Sequence, residues 1–92
     1  MELVHVDGQD RGEVVLYALS TCGWCGKTKN LLTSLDVAFD YVYVDLLERD
    51  EMEQVYAEMM QRYNPSGSFP TLVINGTVIV GFQEDEIREA LA

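Results

Sequence analysis

Cys22-Gly23-Trp24-Cys25 brings together the two cysteines of this 92-residue chain. The pair lies where an apolar run, Val14-Val15-Leu16-Tyr17-Ala18, gives way to a helical pattern. Two thiols at this spacing on the first turn of a helix reach each other, so a disulfide can form and break with little backbone movement. A strand-to-helix junction also aims helix N–H groups at the first sulfur, a setting expected to favour a nucleophilic thiolate. Cys22 is therefore the expected nucleophile, and Cys25, one turn further in, the thiol that resolves a mixed disulfide on Cys22. Inert buried thiols fit this setting poorly. The motif points to a dithiol redox site.

The neighbours of the pair carry further expectations. Gly23 leaves the turn uncrowded, so that a substrate backbone can approach. Trp24 is an apolar ring between two reactive thiols, placed either to contact a partner surface or to pack on the domain's own side chains. Lys27 and Lys29 form a local island of positive charge in an acidic chain, and Lys27 is assigned a pKa-tuning role towards Cys22. Ser20 and Thr21 are expected to cap the helix, with Thr21 also hydrogen-bonding the thiolate.

Composition narrows the function classes. The net charge is −10, with six basic residues, so a phosphate backbone or an anionic lipid surface would be repelled. No apolar stretch approaches the roughly 20 residues of a membrane span. The N-terminus, Met1-Glu2-Leu3-Val4-His5-Val6-Asp7, is acidic and lacks the basic region and apolar core of a signal peptide. The expected location is cytoplasmic, where two cysteines serve catalysis or metal binding more readily than a structural staple. His5 reads as a surface histidine, and no metal site is expected.

A single domain is expected over 1–92, with its core over about 13–92. The spacing predicts a strand over Glu13 to Ala18, apolar throughout and so buried on both faces. A helix follows from Gly23 to about Leu35, with Thr28, Leu31, Leu32 and Leu35 on one side. After a turn at Asp36-Val37-Ala38 comes a strand over Phe39 to Val44. A long helix spans about Leu47 to Tyr63, its stripe of Met52, Val55, Tyr56, Met59, Met60 and Tyr63 read as core rather than as a cofactor surface. Asn64-Pro65-Ser66-Gly67-Ser68 ends it. Phe69 to Ile74 and Thr77 to Val80 form a hairpin about Asn75-Gly76, and Glu84 to Leu91 is the last helix. Leu3 to Val6 is compatible with a short edge strand or with an unpaired terminus. The order β-α-β-α-β-β-α, with a right-handed parallel crossover and a terminal hairpin, gives an α/β fold with a mixed four-stranded sheet flanked by three helices.

Three segments carry a family resemblance: Leu16-Tyr17-Ala18-Leu19-Ser20-Thr21-Cys22-Gly23-Trp24-Cys25, Phe69-Pro70-Thr71-Leu72-Val73-Ile74 and Gly81-Phe82-Gln83-Glu84-Asp85. Together, in this order, they resemble the glutaredoxins of the thioredoxin superfamily, in particular small archaeal-type dithiol redoxins. The resemblance implies a thioredoxin-like fold, a cis Pro70 facing the cysteines, and a substrate-binding surface made by Trp24, Phe69, Pro70, Gly81 and Phe82. It implies a thiol–disulfide oxidoreductase that reduces protein or low-molecular-weight disulfides. Such an enzyme needs no bound cofactor beyond the redox-active Cys22–Cys25 disulfide, with an external thiol or a reductase as electron donor. Leu19, Gly23-Trp24 and Phe82 depart from the glutathione-using members, and the acidic Glu84-Asp85-Glu86 adds to the case against an anionic thiol. The chain is expected to act as a monomer. The alternative implied by some relatives is a protein that bridges an iron–sulfur cluster between two subunits.

Overall fold

In a computed structural model that describes residues 3–92, the elements run β1 (Val4–Val6), β2 (Val14–Ala18), α1 (Gly23–Ser34), β3 (Phe39–Tyr43), α2 (Arg49–Arg62), β4 (Thr71–Ile74), β5 (Thr77–Val80) and α3 (Glu84–Leu91). Met1 and Glu2, the start of the acidic N-terminal segment, lie outside the described residues. The strands form one sheet in the order β1-β3-β2-β4-β5. Strands β2 and β3 are parallel, and the other pairs are antiparallel. The fold is thioredoxin-like, with five strands where four are predicted.

The added strand is β1. It pairs antiparallel with β3, Val4 opposite Tyr41 and Val6 opposite Phe39. His5 secures it: Nδ1 lies 2.7 Å from Asp40 Oδ1, and Nε2 lies 3.1 Å from Asp7 Oδ1. The hydrogen bond to Asp40 raises the histidine pKa above its usual 6.5. An exposed three-residue edge strand has too little apolar pattern of its own to announce itself.

Central position explains why β2 is apolar throughout. Val14, Leu16 and Ala18 face one layer with Leu31, Leu32, Ile87 and Leu91 of α1 and α3, while Tyr17 faces another with Val55 and Met59 of α2. Strand β3 divides likewise, Phe39 joining the first layer and Val42 the second. Leu16, Leu32, Met59 and Ile87 are fully buried. Side chains of this size stabilise a fold by about 1.5–3 kcal/mol each when removed from water.

Element ends differ from expectation where local hydrogen bonding decides. Val44 leaves the strand and opens a single 3-10 turn, Val44–Leu46. Strand β4 begins at Thr71, because Pro70 has no N–H to give the ladder. Asn75 and Gly76, at φ 48° and 84°, make the tight two-residue hairpin turn.

Candidate active site

The end of β2 delivers the chain to a short loop, Leu19-Ser20-Thr21, that is fastened from the side. The Ser20 backbone N–H and hydroxyl donate to Asp45 at 2.9 and 2.6 Å. These bonds, the hydroxyl first, lower the Asp45 pKa and keep it ionised. The loop closes with Cys22 N–H donating to the Leu19 carbonyl at 3.2 Å.

Cys22 itself is the N-cap of α1. Its backbone is extended, φ −89° and ψ 116°, and its Sγ accepts from Cys25 N–H at 3.2 Å. The expected Ser20 and Thr21 caps are corrected here: Ser20 is held by Asp45, Thr21 is exposed, and the sulfur occupies the capping position. Thr21 and Ser20 lie one and two residues before the N-cap Cys22.

The two thiols are unequal. Cys22 is half-buried and Cys25 is only 2% exposed. Burial first, and the neighbouring Cys22 sulfur second, push the Cys25 pKa from 9.0 up to about 12. At neutral pH Cys25 is a protonated, buried thiol beside a partly exposed cysteine.

Trp24, Phe69, Pro70, Gly81 and Phe82, all five predicted contact residues, line one cleft of about 210 Å³. The Phe69–Pro70 peptide is cis, as the resemblance implies. The Pro70 carbonyl accepts from Gly81 N–H at 2.9 Å, and Gly81 has φ 80°, a conformation suited to glycine. Trp24 packs on the domain's own side chains and keeps an exposed face. It is 59% exposed, yet it stacks on Phe82 with ring centroids 5.9 Å apart. Gly23 is open outward, with nothing within 4 Å of where a side chain would begin.

The lysines part company. Lys27 Nζ sits 4.6 Å from the Trp24 ring centroid, which places its charge on the edge of the cleft. Lys29 reaches β3 instead, 4.2 Å from the Tyr41 ring, and donates to the Tyr43 hydroxyl at 3.3 Å.

Sequence reasoning missed Asn64, which is 4% exposed. Its Nδ2 donates to the Ser68 carbonyl and Thr71 hydroxyl at 3.1 and 3.0 Å, and its Oδ1 accepts from the Ser66 hydroxyl at 2.6 Å. This side chain fixes the two ends of the segment containing Phe69-Pro70. The available signal was an asparagine among small polar residues directly before the proline segment. Among the described residues no three His, Cys, Asp or Glu side chains gather as a metal site, and no helix is long and apolar enough to cross a membrane.

Comparison with known proteins agrees with this geometry. The glutaredoxin family pattern matches residues 14–79. A glutaredoxin-like 8.6 kDa protein from the rubredoxin operon of Clostridium pasteurianum is 35% identical over 78 residues, 85% of this chain and 96% of that protein. The crystal structure of a glutaredoxin from Methanosarcina mazei Go1 superposes with a TM-score of 0.88 at 58% identity, covering 98% of this chain and 87% of that one. Methanoredoxin from Methanosarcina acetivorans superposes with a TM-score of 0.87 at 55% identity, covering 92% and 90%.

Proposed function

The chain belongs to the glutaredoxin family, and we propose that it is a dithiol–disulfide oxidoreductase in which Cys22 attacks and Cys25 resolves. The observation that carries this reading is the inequality of the thiols: Cys22 is partly exposed at the helix start, and Cys25 is buried with its proton held to about pH 12.

The Cys22 thiolate forms a bond to one sulfur of a substrate disulfide. The other substrate sulfur leaves with the electron pair of the broken bond and takes up a proton. Cys25 then yields its proton to solvent and bonds to Cys22 Sγ, and the second substrate sulfur departs and is protonated. The substrate gains two electrons and two protons, and the protein is left with a Cys22–Cys25 disulfide. An external thiol or a protein reductase returns the two electrons. Holding Cys25 as a thiol until the mixed disulfide exists keeps the first step at Cys22.

The cleft of Trp24, Phe69, Pro70, Gly81 and Phe82 receives the chain that bears the target sulfur. We assign Trp24 and Phe82 to apolar contact, and Phe69, Pro70 and Gly81 to backbone approach. Substrates are disulfides of polypeptides or of small thiols. The protein works as a monomer in the cytoplasm with no bound cofactor. Turnover of bis(2-hydroxyethyl) disulfide with a chemical dithiol as reductant tests the reading. Activity that disappears in Cys22→Ser supports it, and equal activity in that variant refutes it.

A further inference from the structure

A second cleft, of about 270 Å³, adjoins the first through Phe69 and has a different chemistry from it. Leu19, Val44, Met52, Tyr56 and Phe69 supply its apolar walls. It is joined to the Cys22 backbone and to the first cleft. Leu19 accepts the Cys22 N–H through its carbonyl, and Phe69 lines both clefts. A chain bound across Phe69 with its sulfur at Cys22 therefore has a neighbouring side chain within reach of this second cleft.

The polar groups around it are already engaged. The Tyr56 hydroxyl donates to the Gly67 carbonyl at 2.9 Å, leaving the ring, which stacks on Phe69, to form the wall. Asp45 is held by Ser20, and Glu53 Oε1 accepts from Arg49 Nε at 3.4 Å. These two carboxylates are the charged groups of the lining. Lys27 stands over Trp24, at the other cleft. An anionic occupant would find two carboxylates and no cationic side chain in the lining, and would lose hydration with little compensation. An aliphatic or aromatic side chain would lose only water from its surface.

We propose that this cleft is a specificity subsite that takes an apolar side chain adjacent to the target cysteine of a polypeptide disulfide, and that its acidic edge turns away substrates with an acidic neighbour. The proposal rests on the oxidoreductase reading above and adds the class of substrate.

The test uses symmetrical disulfides of a capped tetrapeptide in which one neighbour of the cysteine, on either side, is leucine, alanine or glutamate. Bis(2-hydroxyethyl) disulfide, which has no side chain to offer, serves as the reference. For the wild-type protein in at least one of the two registers, kcat/KM for the leucine peptide is expected to exceed that for the glutamate peptide by roughly tenfold or more. In Met52→Lys, which takes away apolar wall and sets a cation against the two carboxylates, the same ratio, taken within the variant, should fall to within about threefold. Equal rates across the peptides with the reference still reduced would overturn the subsite and leave the oxidoreductase standing, as would preference for glutamate. Failure of the wild-type protein to reduce the reference would overturn the oxidoreductase reading itself. The wild-type ratio decides the matter even if Met52→Lys does not fold.

Discussion

Cys25 N–H donates to Cys22 Sγ across 3.2 Å, so α1 is capped by the sulfur assigned to attack. One atom thus has a structural duty and a chemical one. The helix N-terminus needs an acceptor there, and the nucleophile is held in place by the need.

Separating the two duties is straightforward. Serine is among the best N-cap residues, so Cys22→Ser should keep the stability of the reduced protein while losing disulfide reduction. Cys22→Ala should lose both the activity and about 0.5–2 kcal/mol of stability. Urea unfolding of the reduced variants checks the difference. Equal stability of the two variants would remove the capping role.

The inequality of the thiols gives a pH prediction. Iodoacetamide at neutral pH should modify Cys22 alone in the native reduced protein, and both cysteines once it is unfolded. Folding raises the Cys25 pKa from 9.0 to about 12, so the folded state binds this proton more tightly than the unfolded chain. The resulting stabilisation is complete below about pH 9 and is lost as the pH rises towards about 12. Between those limits stability should fall more steeply in the reduced protein than in Cys25→Ala. Unfolding midpoints measured across that range check the sign.

Asn64 is the hub under the proline segment. Asn64→Ala strips the donors to Ser68 and Thr71 from a buried position, at an expected cost of about 1–3 kcal/mol. Because the segment between those partners carries Phe69 and Pro70, the variant should also raise KM for peptide disulfides more than it lowers kcat. Denaturant unfolding and steady-state kinetics together check this.

Trp24 is the chain's single tryptophan and so reports on the cleft. Phe82→Ala removes its stacking partner, which should increase acrylamide quenching of its fluorescence in the folded protein. The stability cost should be small, roughly 0.5–1.5 kcal/mol for an aromatic pair of this kind. Unchanged quenching would place the order of Trp24 elsewhere, on Lys27 for example.

Much of this arrangement was legible in the residues. The apolar run of β2, the Asn75-Gly76 turn and the 3.6-residue spacing of α1 are local signals with one reading each. The thiol pair needed only its place between a strand and a helix. What stayed hidden depends on contacts between distant segments. Ser20 is drawn from capping by Asp45, 25 positions away, and β1 is secured by a bond between His5 and Asp40, 35 positions apart. The stripe on α2 shows a further limit. Periodicity tells which face of a helix turns inward but not how far its neighbours extend beneath it. Val55 and Met59 are therefore core, while Met52 and Tyr56, on the same stripe, line an open cleft. The burial of Asn64 is hidden for the same reason, since a helix-breaking segment reads as a surface loop until the chain folds over it.

The order of attack is the central claim, and trapping tests it most directly. Reduced Cys25→Ser is mixed with a peptide disulfide, quenched in acid, and digested for mass spectrometry. A single peptide adduct, joined through Cys22, is the predicted result, with no release on standing until a thiol is added. Absence of an adduct, while the wild-type protein reduces the same peptide, would contradict the assignment of Cys22 as nucleophile and Cys25 as resolving thiol.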